Sequence, residues 1–212
     1  GLQAGSTVHL SVRGRGGGCA ASKPLAEGRG RLPASIDEAT ARKLLGKRFD
    51  GAAFEQLAHD GRAPREAFVR EFAGQLTERA FEACAGGDEA ALGELVASGM
   101  DVNKGRVSDG WPQLCTAAVN GQAKCLAMLL GVAEIDVNRP IPNGSTALFN
   151  AAQEGHAECV TLLLARPDID VNKAKTSDLV TPLRIAAQSG QAEVIRLLLA
   201  HPQTDVNQAD ED

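Results

Sequence analysis

Asp-Val-Asn occurs four times in this chain, beginning at Asp101, Asp136, Asp170 and Asp205, at separations of 35, 34 and 35 residues. Other landmarks keep step with it. Ala117-Ala118, Ala151-Ala152 and Ala186-Ala187 recur, then Gly121, Gly155 and Gly190, then Met128-Leu129-Leu130, Leu162-Leu163-Leu164 and Leu197-Leu198-Leu199. A unit this short cannot bury its own apolar face. Units of this period therefore stack on one another into a solenoid and do not gather round one central core.

The third copy shows what a unit is built from. Asn143-Gly144 is a turn signal, and Thr146 stands where a helix N-cap belongs. A short helix then turns Leu148, Ala151 and Ala152 inward, and Gly155 ends it, as a residue that takes positive φ at little cost. The second helix carries Cys159, Val160, Leu162, Leu163 and Leu164 on its apolar side. The paired alanines let the two helices approach closely, where larger side chains would overpack.

These residues resemble the ankyrin repeat, whose pattern runs Asp-Gly-x-Thr-Pro-Leu-His-x-Ala-Ala, Gly-His, Leu-Leu-Leu, Asp-Val-Asn. The fourth unit keeps Thr181-Pro182-Leu183-Arg184-Ile185-Ala186-Ala187, and the second keeps Asp109-Gly110-Trp111-Pro112-Gln113-Leu114. A divergent first unit is expected over 76–103, with Ala80–Cys84 and Leu92–Ala97 as its helices. The resemblance implies an all-α ankyrin solenoid of about four repeats over 76–208, with hairpin-like loops. Three departures stand out. Cys115, Phe149 and Arg184 replace the pattern's His, Leu179 replaces a turn glycine, and extra residues follow the second helices (Arg166-Pro167-Asp168 and His201-Pro202-Gln203).

Ankyrin arrays bind other proteins through hairpin tips and the face of the first helices. Carried over position by position, the partner-binding residues are Ser108, Asp109, Trp111, Val119 and Asn120; Asn143, Ser145, Gln153 and Glu154; and Asp178, Val180, Gln188 and Ser189. Trp111, the only Trp, is a hot-spot candidate; its alternative role is packing on the neighbouring hairpin. The Asn of each Asp-Val-Asn is expected to brace successive loops through side-chain to backbone hydrogen bonds. The resemblance also implies that such Asn can be modified.

A second resemblance lies at the start. Val8, Leu10 and Val12 alternate with His9, Ser11 and Arg13 as in a half-buried strand, and a glycine-rich basic stretch follows. Gln3, Ser6-Thr7, His9-Leu10, Arg13, Arg15 and Gly16-Gly17 resemble the last strand and tail of ubiquitin, with Gly14 and the extra Gly18 as departures. A lone strand does not fold alone, so residues 1–18 are expected to be the remnant of a ubiquitin-like domain within a longer fusion. Arg13, Arg15, Gly16, Gly17 and Gly18 would then form its tail. A flexible basic linker (19–34) and a helical capping segment (35–75) are expected next, and an acidic tail at 209–212. In the capping segment Ser35-Ile36-Asp37-Glu38 reads as a capping box opening a helix to about Leu45. A second helix is expected over Ala52–Leu57, and a third from about Pro64 carrying Phe68, Phe72 and Leu76 on one stripe.

Charge and motif content narrow the function. The net charge is −5, with five basic groups and one Glu among residues 1–33 and −9 over the rest. An acidic array is the wrong surface for phosphates, so no nucleic acid is expected. Nor is a membrane: no apolar run has spanning length. Five single cysteines without metal-type pairing suggest small core residues in a reducing cytoplasmic or nuclear compartment. Gly16-Gly17-Gly18-Cys19-Ala20-Ala21 fits a loose dinucleotide pattern, but no helix signal follows to hold a pyrophosphate. Phe54–Phe72 resembles an EF-hand around Asp60-Gly61, yet Gln56, Ala58 and Ala67 fall at ligand positions that calcium needs filled by several oxygens. No cofactor, metal or small-molecule substrate is expected. The reading is a non-enzymatic interaction scaffold, with a ubiquitin-pathway fusion whose repeats select clients as the alternative.

Overall fold

The computed structural model describes residues 32–208, so the strand and tail expected at 1–18, most of the linker and the acidic tail expected at 209–212 lie outside the described residues. The described chain opens with β1 (Ser35–Asp37), α1 (Glu38–Leu45), α2 (Gly51–Leu57), β2 (Arg62–Pro64) and α3 (Arg65–Glu71). Four helix pairs follow: α4 (Ala73–Gly86) with α5 (Glu89–Ser98), α6 (Gln113–Val119) with α7 (Ala123–Leu130), α8 (Ala147–Glu154) with α9 (Ala157–Leu164), and α10 (Pro182–Gln188) with α11 (Ala192–Ala200). The fold is an all-α ankyrin solenoid. First helices stack on first helices in the order α4, α6, α8, α10, and second helices in the order α5, α7, α9, α11.

Caps and glycines set the helix boundaries. Thr146 caps α8 by accepting from Phe149 N at 3.3 Å, and Thr181 caps α10 by accepting from Arg184 N at 3.3 Å, with Pro182 in the first turn. Gly121 and Gly155 close their helices at φ 65° and 80°. They have a second duty. A Cβ on Gly121 would sit 2.7 Å from the His156 ring, so only glycine lets the next unit's side chain lie over the turn. His156 Nε2 there lies 3.1 Å from the Val119 carbonyl, and Gln191 Nε2 donates to the Gln153 carbonyl at 3.2 Å one unit later.

The loops are joined by the Asp-Val-Asn copies. Asn103 Nδ2 donates to Glu134 O at 2.6 Å while its Oδ1 accepts from Asp136 N at 2.8 Å. Asn138 repeats this with Asp168 O and Asp170 N (2.7 and 2.8 Å), and Asn172 with Gln203 O and Asp205 N (2.7 and 2.8 Å). The Asp of each copy accepts from the backbone N of its own Asn, which fixes the turn, and Val102, Val137 and Val171 are buried beneath. The expected bracing is therefore present, with each carboxamide serving as donor and acceptor at once.

The capping segment departs from expectation in two places. Ser35 does not cap α1. Ser35–Asp37 is extended and pairs antiparallel with Arg62–Pro64, with Ile36 opposite Ala63 and both fully buried. Asp37 is the cap instead, accepting from Thr40 N at 2.8 Å. The third helix does not run through to Leu76: it breaks at Phe72 (φ −97°, ψ 17°), and the first unit's opening helix starts at Ala73, earlier than expected. Phe68, Phe72 and Leu76 are still buried together across the break. Phe54 meets Phe68 edge-on with centroids 6.3 Å apart, and Phe68 lies 4.9 Å from Phe72. This aromatic core, packed against α4, covers the first unit's open side, while Leu32 N donates to Ala97 O at 3.3 Å. The Phe54–Phe72 helix–loop–helix carries hydrocarbon at Ala58 and Ala67, which cannot supply calcium with oxygen.

In the second helix of the third unit, Cys159, Val160 and Leu163 are buried, while Leu162 and Leu164 are only partly so. The packed stripe of that helix is narrower than its run of leucines.

Two outcomes follow from this geometry. Asn138→Ala removes a donor and an acceptor together and should cost about 1–2 kcal/mol in urea unfolding. Asn207→Ala, whose side chain meets no neighbouring loop among the described residues, should change stability by less than about 0.5 kcal/mol; equal losses would refute the bracing role. Leu179 occupies the left-handed region (φ 53°) where the other hairpins carry Gly110 and Gly144. Leu179→Gly should therefore raise stability by about 1 kcal/mol, and a fall would mean that the leucine's contacts outweigh the backbone strain.

Candidate protein interaction face

Three hairpins project between the units and line up because the asparagine bridges hold their bases at one spacing. The first is closed by Arg106 N donating to Trp111 O (2.9 Å) and Gly110 N donating to Arg106 O (2.7 Å). The third repeats this with Lys175 N to Val180 O and Leu179 N to Lys175 O, both 2.9 Å. The second is one residue shorter, running from Ile141 N to Ser145 O at 2.9 Å.

The outer hairpins share an electrostatic design. Arg106 holds Asp109 through Nε to Oδ1 at 3.0 Å and through Nη2 to Oδ2, and its guanidinium lies 4.0 Å from the centre of the Phe81 ring on α4. Lys175 Nζ holds Asp178 at 2.9 Å and lies 5.8 Å from the Phe149 ring on α8. The Arg106 hydrogen bond lowers the Asp109 pKa, and the Lys175 hydrogen bond lowers that of Asp178. Two of the three residues that replace the pattern's His thus have identified tasks. Phe149 seats Lys175, and the Cys115 thiol donates to Arg139 O at 3.6 Å. The third, Arg184, is exposed, and its charge helps to lower the Asp178 pKa.

Most of the expected partner-binding residues reach the surface. Ser108, Asn120, Asn143, Gln153, Glu154, Asp178, Gln188 and Ser189 are exposed, and Asp109, Trp111 and Val119 are half-buried. Two are not available. Ser145 is buried, with its N and Oγ both donating to Asn143 Oδ1, because the short second hairpin folds it beneath the tip. Val180 is buried where the third hairpin closes on it. Trp111 packs against the core and donates its backbone N to Asp109 Oδ1 at 3.2 Å, so its local packing role is real and only part of it faces out. One residue was missed. Val107, at the first tip, is 69% exposed, and its N donates to Glu78 Oε1 at 3.3 Å. Its signal was an apolar residue in the register where the third hairpin has Thr176.

Cys115 has its thiol pushed up to about 12 by burial, and Cys159 to about 11; burial also raises Cys84 and Cys125. Such thiols are poor nucleophiles. Among the described residues no three His, Cys, Asp or Glu side chains gather to hold a metal, and no helix is long and apolar enough to cross a membrane. In native protein at pH 8, Cys84, Cys115, Cys125 and Cys159 should resist iodoacetamide and react only after unfolding, as read by peptide mass spectrometry. Native labelling of Cys115 would contradict this assignment.

Residues 114–210 match the family model described as ankyrin repeats (3 copies), a match that begins in α6 and leaves the first helix pair, the capping segment and Gly1–Gly18 outside it. No curated protein matches the chain. Ankyrin repeats are generally protein–protein interaction modules and typically not enzymes. With the stacked helix pairs, aligned hairpins and asparagine bridges, the match supports the ankyrin-repeat family and identifies the segment 114–210 as an ankyrin-repeat array.

Proposed function

We propose that this chain is an interaction scaffold that holds a partner protein along its hairpin tips and first helices. The observation that carries this is the first hairpin. An apolar side chain, Val107, is held outward on a tip that is made rigid by the Arg106–Asp109 pair and by Arg106 over Phe81, with Trp111 at its base. A rigid apolar anchor loses little conformational entropy on binding. The row of exposed amides and hydroxyls beyond it, Asn120, Asn143, Gln153, Gln188 and Ser189, suits a partner surface rich in backbone groups. Four thiols with no disulfide among the described residues favour a reducing cytoplasmic or nuclear setting. The ubiquitin-pathway alternative rests on the strand alternation and Gly16–Gly18 in the sequence and would make the array the client-selecting half of a fusion.

The test is affinity capture by the full chain from extracts of its source cells. The captured protein is identified and its binding is then measured with purified components. Trp111→Ala and Val107→Asp should each weaken binding about tenfold with the helical circular dichroism unchanged. Binding that neither change affects would remove this face from the interaction.

A further inference from the structure

The outer two hairpins carry one pattern in one register. Arg106-Val107-Ser108-Asp109 and Lys175-Thr176-Ser177-Asp178 each place a serine between a cation two residues before it and an acid one residue after it. In both, the cation binds that acid across the turn, Arg106 Nε to Asp109 Oδ1 at 3.0 Å and Lys175 Nζ to Asp178 Oδ2 at 2.9 Å. The serine is left over. Ser108 and Ser177 are exposed, and neither hydroxyl has a partner among the described residues. The second hairpin is the internal contrast: its serine, Ser145, is buried and donates to Asn143 Oδ1.

Ser108 has a second cation beside it. With Arg48, Glu78 and Val107 it lines an open depression between the capping segment and the first hairpin. Arg48 pairs there with Glu82, Nη1 to Oε1 at 2.8 Å, with both side chains well exposed. Exposed pairs are weak, so Arg48 can turn to a stronger anion at little cost. Two guanidinium groups thus flank one hydroxyl. A guanidinium meets a phosphate through two parallel hydrogen bonds, where an ammonium acts as a point charge. That favours Ser108 over Ser177, whose own hairpin offers a lysine.

We propose that Ser108 is a phosphorylation site and that Arg106 and Arg48 receive its phosphate. ATP bound to a protein kinase supplies the group. Ser108 Oγ attacks the γ-phosphorus, the bond from that phosphorus to the bridging oxygen breaks, ADP leaves with the electron pair, and the hydroxyl proton passes to a base of the kinase. The product adds a charge of about −1.5 to −2 to a tip where Arg106 and Asp109 now cancel. It competes with Asp109 for Arg106, and it repels Glu78, whose Oε1 accepts from Val107 N at 3.3 Å. Both contacts that steady the tip are weakened together. The consequence rests on the hairpin-face proposal, because an anion then stands beside the apolar anchor Val107; the modification itself needs no partner.

The test uses the full chain alone. It is incubated with ATP and an extract of its source cells, and phosphopeptides are mapped by mass spectrometry. Phosphate should appear on Ser108 and not on Ser145, and Ser108→Ala should remove that phosphopeptide. Chain with phosphoserine inserted at position 108 by a suppressor transfer RNA is then titrated by phosphorus NMR. An unperturbed phosphoserine titrates near pH 6, as the same chain should in urea; between two arginines the midpoint should fall below about 6. Asp109, which Arg106 holds low in the unmodified chain, should titrate at higher pH once the phosphate shares that arginine. No phosphate on Ser108, or a native midpoint at or above the urea value, overturns the proposal. So does a lowered midpoint that Arg48→Gln and Arg106→Gln both leave in place. None of these readouts involves a captured protein, so a failure here and a failure of partner capture are told apart.

Discussion

One carboxamide per unit holds this stack in register. A solenoid lacks the cross-connections of a globular core, because each unit touches only its neighbours. Apolar helix packing alone would let adjacent units slide or rotate. Asn103, Asn138 and Asn172 oppose this by reaching from one loop to two backbone groups of the next, at 2.6–2.8 Å. Asparagine suits the task because its amide donates and accepts from one rigid plane. Aspartate could not donate, and glutamine would lose more side-chain freedom. The buried valine beside each asparagine anchors the loop to the helices, so the polar bridge and the apolar core share one register.

That register is what aligns the proposed binding face. Hairpins at one spacing present their tips in a line, and the tips are stiffened from within. Arg106 and Lys175 each pair with an acid on their own hairpin and lie over an aromatic ring of the preceding unit. Exposed ion pairs of this sort add little stability, but here they neutralise charge at the hairpin tips. The face also shows Val107, part of Trp111, the carboxylate of Glu154 and a row of amides and hydroxyls.

The outer side of the first unit is covered by something other than a repeat. At the first unit an aromatic core of Phe54, Phe68 and Phe72 takes the place of another repeat, built on a two-strand ribbon that the repeats themselves do not use. Four of the six phenylalanines of the chain lie in this segment. A cap must bury its own core and the face it covers, and large rings do both with few residues.

The repeat was legible in the sequence because its period, its alanine pairs and its turn glycines are local requirements of helix packing and backbone conformation. They allow few substitutes, so Thr146, Gly155 and the asparagines could be assigned their tasks one by one. What the sequence could not decide were features set by partners distant in the chain. Ser35 looked like a cap because the strand pairing with residues 62–64 is a non-local contact. The helix through Phe72 looked continuous because its stripe is unbroken even where its backbone turns. Ser145 and Val180 looked available because their burial depends on how each hairpin closes, and Val107 was passed over for the same reason. Periodicity reports which side of an element is apolar; only the tertiary structure decides what lies against that side, since exposure belongs to the pair of surfaces and not to either segment alone.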